Sequence, residues 1–278
     1  MRPSRGLMYM LLSTLGFSAM GVFVKLASAD LPTSEIVLAR AVVTLVLSYA
    51  MIRRAHIPAL GTQRGKLLFR GLIGFCGLNG YYAGLALLPL ADATVFENTV
   101  PLFAALLAWW ILKEHIRWPT LVALACGITG VVIIARPPGQ GLAPLGVTVA
   151  LGGAACFAIA QVTIKQLSHT EHPLVIVMYL PLVGVPLAVP WAARAWVAPT
   201  PTLWLLLLAI GITTQIGQVL MTKGLAHESA SRASSIGYVQ VVLAIVWQVI
   251  IFDVVPPWTT LVGAVIALVG TTVVTLTR

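Results

Sequence analysis

The chain has 278 residues, 59% of them hydrophobic and 9% charged, with a mean hydropathy of +0.98. A soluble domain carries about 25% charged residues, so this chain lacks the polar surface to cover a globule in water, and its solvent is lipid. The formal net charge of +9 then reads as basic loops facing an anionic membrane surface, not as a footprint for nucleic acid.

The first apolar run, Gly6 to Val24, follows Arg2 and Arg5 and ends near "LASAD", which invites comparison with a secretory signal. It is longer than a signal core and long enough to span a bilayer, so it is expected to stay as a membrane helix. Apolar stretches punctuated by Pro, Gly and charge continue along the chain. They predict helices at 6–27, 33–52, 66–88, 92–112 and 117–135, then at 144–167, 173–193, 201–226, 231–251 and 258–277. "RPPGQG" at 136–141 is the expected hinge, dividing the chain into halves at 1–138 and 139–278. Cys76, Cys126 and Cys156 all fall inside apolar runs, so no disulfide framework is implied.

The halves echo each other. At an offset of 140 the identical pairs include Gly6/Gly146, Phe17/Phe157, Lys25/Lys165, Gly71/Gly211 and Gly77/Gly217. "GLA" recurs at 84–86 and 224–226, and "WPTLV" after Trp118 answers "WTTLV" after Trp258. Gapless agreement of this kind is a repeat signal. Five spans per half is odd, so the second copy enters the membrane from the opposite side. With the N-terminus inside, thirteen Lys and Arg fall in inner loops, while the outer loops hold only Lys25, Arg136 and Arg194. That asymmetry obeys the positive-inside rule and places both termini in the cytoplasm. The fold expected is an all-α polytopic membrane protein, with ten transmembrane helices as two inverted five-helix repeats around a central cavity. Such repeats build alternating access in secondary transporters. Lys25 and Lys165 are then one structural position on two membrane faces, and are candidate gate elements.

Residues 91–135, with Ala93, "PLFAALLAWW" opening on Pro101, the Lys113–Glu114 pair and Gly130, resemble the helix 4–5 signature of the drug/metabolite transporter superfamily. More narrowly they resemble its ten-helix EamA-type exporters, which also carry residues matching Arg40 and Lys25. The second copy departs from the signature, with Val241 for the proline and Val254 for the glutamate. The resemblance implies export of small metabolites such as amino acids.

Candidate site residues come from helix faces. In helix 3, Gly77, Gly80 and Gly84 share one face, with Phe75, Asn79 and Tyr82 nearly opposite. Helix 8 repeats the layout, with Gly217 and Gly224 against Gln215, Gln218 and Thr222. Small residues permit close helix approach, while buried amides and hydroxyls need partners. The polar faces are therefore expected to line the cavity, joined by Asn98 of helix 4 and Tyr238 of helix 9. Pro101 is expected to kink helix 4 and free the carbonyl of Glu97. Intramembrane Arg40 and Glu97 are costly in lipid and serve either a structural ion pair or substrate and proton handling. Tryptophans near helix ends, such as Trp110, Trp191 and Trp258, suit interfacial belts, and Trp247 is expected to face lipid. "HTEH" at 169–172 lacks metalloprotease spacing, and no metal site is expected.

The sequence thus points to a secondary transporter in the plasma (inner) membrane, exporting amino acids or related polar or aromatic solutes. The second reading is an importer or exchanger of a larger metabolite, nucleoside-like or sugar-phosphate. Arg40 as the lone buried cation weighs against phosphates. The distant alternatives are a structural membrane protein and a membrane-embedded enzyme. The enzyme would need a cluster of His, Asp or a nucleophile at one depth, whereas all five histidines lie in or beside loops. No nucleotide-binding loop is present and no cofactor is expected. The expected partners are a small-molecule substrate and the lipid bilayer, with the protein a monomer or homodimer.

Overall fold

The computed structural model describes residues 5–97, 99–112, 144–228 and 239–276, with isolated positions between 118 and 133 and at 233 and 236. Among these the regular structure is helical throughout. The helices are α1 (Arg5–Ala27), α2 (Thr33–Arg54), α3 (Arg64–Leu87), α4 (Leu90–Glu97), α5 (Val100–Leu112), α6 (Pro144–Leu167), α7 (Pro173–Arg194), α8 (Pro201–His227), α9 (Val239–Phe252) and α10 (Trp258–Leu276). Five of them, α1, α2, α6, α7 and α8, are long and apolar enough to cross a membrane. Large apolar side chains stand on the outside, including Val46, Leu205 and Ile250, as a lipid-facing surface requires. Trp110, Trp191 and Trp258 are also exposed. Trp247 differs from expectation: its indole Nε1 donates to Ser18 Oγ at 2.9 Å, so it packs inward on α1.

Helix starts follow local chemistry. Pro173 and Pro201 open α7 and α8, where a missing N–H costs nothing. His172 Nδ1 accepts from Leu174 N, and Thr200 Oγ1 from Leu203 N. The expected fourth span is two helices, not one kinked helix. Thr99 N and Oγ1 both donate to Phe96 O, and the Thr99 carbonyl accepts from Leu102 N and Phe103 N, starting α5. Pro101 therefore sits in the first turn of a new helix, where it is tolerated.

The identical glycines and phenylalanines at the 140 offset turn out to be contact residues between the halves. α3 packs on α6, where a Cβ built on Gly77 would stand 3.0 Å from the Phe157 ring. α1 packs on α8, where a Cβ on Gly217 would stand 2.9 Å from the Phe17 ring. The same exchange holds at the helix ends. Gly6 meets His227 and Glu228, while Gly146 meets Leu87 and Leu88. Each contact is made twice, once from each half. α2 packs on α7.

Loops clasp the halves together. Glu171 Oε1 accepts from Thr62 N (2.7 Å), Thr62 Oγ1 (2.6 Å) and Gln63 N (2.6 Å), capping the start of α3. Glu35 Oε2 accepts from Val197 N at 3.1 Å. Burial pushes the Glu171 carboxyl up, but the hydrogen bonds from Thr62 and Gln63 together outweigh it and hold it below the ordinary glutamate value. A depressed folded value adds stability that is present above the unfolded value and lost as pH falls through the folded one. Melting midpoints in detergent should therefore decline in acid, and the decline should be smaller in Glu171→Gln. An unchanged acid slope in that variant would assign the loss to other carboxylates.

Candidate functional site

Between the α1–α8 pair and the α3–α6 pair lies a cavity of about 90 Å³. On α3 its wall is the stripe Arg70, Gly74, Leu78 and Tyr81, at helical spacing. Facing it are Met10, Thr14 and Phe17 of α1, Phe157 and Gln161 of α6, and Gln218 and Met221 of α8. Arg40 enters from α2, Glu97 from the end of α4 and Gln240 from α9.

The charged groups do not neutralise one another directly. Arg40, 3% exposed, donates through Nε to Thr214 Oγ1 at 3.2 Å, and its guanidinium lies 5.9 Å from the Tyr82 ring centroid. Arg70, 2% exposed, donates through Nη2 to Gln218 Oε1 at 3.1 Å, and its Nε and Nη1 are buried with no acceptor. Glu97 is hydrogen-bonded by the Tyr81 side chain, and its Oε2 is buried without a donor. Cationic and anionic groups thus line one small chamber with hydrogen-bonding capacity to spare.

Of the residues expected here, Arg40, Glu97 and Gln218 line the cavity. Phe75, Asn79, Tyr82, Gln215 and Thr222 stand outside its wall. Asn79 Nδ2 donates to Phe75 O of its own helix at 2.8 Å, and the Phe75 ring packs on Gly184. Tyr82 is fully buried behind the wall, with its hydroxyl 3.3 Å from Met20 Sδ. Gln215 is paired with Ser48 at 2.9 Å, and Thr222 Oγ1 donates to Gln218 O at 2.8 Å. The physical reason is angular. The cavity stripe of α3 lies about a quarter-turn from its glycine stripe, whereas the expected polar face lies opposite the glycines and packs towards α2 and α7. Asn98 and Tyr238 lie outside the described residues.

Arg70 is the main cavity-lining residue that the sequence does not disclose, because it lies close enough to Arg64 and Lys66 to read with them as one inner basic cluster. The available signal was its place inside the apolar run, one turn before Gly74. It also corrects the view of Arg40 as the lone buried cation. At the 140 offset, Arg40, Arg70 and Glu97 correspond to Leu180, Ile210 and Gly237, so the charges belong to one half only.

Lys25 and Lys165 make matching contacts. Lys25 Nζ donates to the carbonyls of Leu85 (2.7 Å) and Leu88 (2.9 Å), at the end of α3. Lys165 Nζ donates to those of Leu225 (3.0 Å) and Glu228 (2.8 Å), at the end of α8. The acceptors are again related by the offset. Each ammonium supplies donors to terminal carbonyls that the helix itself leaves unsatisfied.

Comparison with known proteins gives the same class. The model of the EamA-like transporter family matches residues 4–136 and again 144–276. The pseudopaline exporter CntI of Pseudomonas aeruginosa is 33% identical over 266 residues, covering 95% of this chain and 94% of that protein. Mouse solute carrier family 35 member G1 is 30% identical, covering 99% of this chain and 79% of its own length. An S-adenosylmethionine uptake transporter of Rickettsia bellii is 28% identical, with 96% and 92% covered. A crystal structure with 19% identity superposes at a TM-score of 0.73 over 95% of this chain and 96% of that one, so the fold is shared. The family and these relatives are transporters and not enzymes, and the apolar helices make this a multi-pass membrane protein whose partners are a small-molecule solute and lipid. The chain belongs to the EamA-like transporter family, within the drug/metabolite transporter superfamily.

Proposed function

We propose that the protein is a secondary transporter that works by alternating access and exports small amino-acid-like solutes. Ten spans form two inverted repeats at 1–138 and 139–278, in the inner membrane with both termini cytoplasmic. The observation that carries this reading is the pair of lysine ties. Lys25 joins α1 to α3 and Lys165 joins α6 to α8. α1 is otherwise packed on α8, and α3 on α6. Each lysine therefore links the two helix pairs that flank the cavity. Gly6, at the start of α1, meets Glu228 beside Lys165, whereas Leu88 beside Lys25 meets Gly146, at the start of α6. The ties consequently stand at opposite ends of the cavity, as an inverted repeat requires. Releasing either one would open that end alone.

A chamber holding both guanidinium and carboxylate groups, with Met10, Phe17 and Met221 beside them, suits a solute with charged and apolar parts. Arg70 gives the reading of an anionic solute, such as a sugar phosphate, a footing that Arg40 alone did not. The relatives act in both directions, by name an exporter and an uptake transporter; export rests here on the resemblance to EamA-type exporters. Counterflow in proteoliposomes tests the proposal, using a panel of L-amino acids, S-adenosylmethionine, a nucleoside and a sugar phosphate. Saturable exchange of an amino-acid-type solute is the expected result. Exchange of the nucleoside or sugar phosphate alone would favour the second reading, and no exchange of any solute would refute transport of these classes.

A further inference from the structure

We infer that Arg70 is the anchor for a substrate carboxylate, and that Glu97 receives the cationic group of the same solute. The inference rests on the transport reading above and names the chemistry its solute must carry. A guanidinium has five N–H donors. In Arg70 the three on Nε and Nη1 are buried and have no acceptor, while Gln218 takes a bond from Nη2 and fixes the plane of the group. A buried guanidinium held only by a neutral amide is an incomplete site: desolvation is costly, and a neutral partner repays little of it. A carboxylate supplies both the countercharge and the acceptors, in charge-assisted bonds that are the strong ones in proteins.

Glu97 presents the complement. One of its oxygens is buried without a donor on the same cavity, while Tyr81 holds the carboxylate in place. Arg70 and Glu97 are each held by a neutral side chain and keep their remaining capacity free. A solute whose carboxylate reaches Arg70 and whose cationic group reaches Glu97 completes both. Its apolar part would meet Met10, Phe17 and Met221. The repeat argues in the same direction. Ile210 and Gly237 occupy the corresponding positions of the second half, so the architecture does not demand these charges.

The test compares three forms of one solute on purified wild-type protein: L-methionine, its carboxamide, which lacks the anion, and N-acetyl-L-methionine, which lacks the cation. The same series in L-phenylalanine runs alongside. Ligand-induced shifts in melting temperature give apparent affinities, and competition in counterflow gives transport. The free amino acid should bind about tenfold to a hundredfold more tightly than its carboxamide, as expected for hydrogen bonds to a charged group. Arg70→Met should bind acid and carboxamide alike, Arg70→Lys should retain part of the preference, and Glu97→Gln should lose discrimination against the N-acetyl form. Without ligand, Arg70→Met should melt no lower than wild type, because it removes an unpaired buried charge. Equal wild-type affinity for acid and carboxamide would overturn the anchor, and needs no variant to fold. So would undiminished acid binding by Arg70→Met, or wild-type exchange confined to a nucleoside or sugar phosphate. A wild-type protein that exchanges no member of the wider panel overturns the transport reading itself, which separates the two failures.

Discussion

Replacing Gly80 with alanine is expected to be among the most damaging single-methyl additions in the bundle. A Cβ at Gly80 would stand 2.6 Å from Gly153 Cα, 2.9 Å from Val149 O and 3.0 Å from Gly153 N. All three are backbone atoms of α6, so no rotamer change relieves the overlap and the two helices must separate. Overpacking that side chains can absorb costs about 1–3 kcal/mol. A displacement of backbone against backbone along the main contact of α3 should reach or exceed the top of that range. Gly84 is the internal control, since its added methyl would stand 3.2 Å from Ala150 Cβ and 3.7 Å from Ala150 Cα, with no atom closer than 3.0 Å. Size-exclusion profiles and melting midpoints in detergent should rank Gly84→Ala near wild type and Gly80→Ala far below. The reverse order would mean that α3 and α6 do not meet through their glycines.

Gly80 also illustrates what the sequence disclosed and what it withheld. The glycine face of helix 3 was readable from helical spacing alone, because close approach of two helices leaves room for nothing larger. The offset identities were readable too, though not their cause: Phe17 and Phe157 recur because each fills the gap left by a glycine of the other half. The cavity face was not readable in the same way. Helical projection separates polar from small positions but cannot tell a hydrogen bond within the helix from one offered to a solute. Asn79 spends its amide on Phe75 O, and Gln215 is taken up by Ser48. Arg70 was hidden for the opposite reason. It follows Arg64 and Lys66 closely enough to read as part of one basic cluster at the membrane edge, although α3 begins at Arg64 and carries Arg70 into the bundle. Leu180 and Met221 line the cavity as ordinary apolar residues, and only packing could place them there.

Neutralising the two lysines should move the protein in opposite directions. In Lys25→Met the terminal carbonyls of α3 lose an ammonium donor that bridges two of them, and Lys165→Met does the same at α8. Hydrogen bonds to a charged group contribute about 1.5–3 kcal/mol each. Water entering the opened end would replace part of this, so a net change near 1.4 kcal/mol, or about tenfold in the ratio of the two open states, is the expected scale. Met20 and Met10 are suitable reporters, because both lie on the α1 wall of the cavity and are buried, at 3% and 4% exposure. Met10 lies against Gly224 at the Lys165 end, and Met20 lies about ten residues nearer Lys25. Each is changed to cysteine in a background lacking Cys76, Cys126 and Cys156, and labelled with an impermeant maleimide in vesicles of both orientations. Lys25→Met should accelerate labelling at position 20 and leave position 10 protected, and Lys165→Met should do the converse. The double variant should label at both, because neither end is then tied. Parallel changes at the two reporters in both single variants would leave the lysines as caps on helix ends with no part in gating. The crossed pattern requires that one contact, repeated at the offset of 140, closes opposite ends of the same chamber.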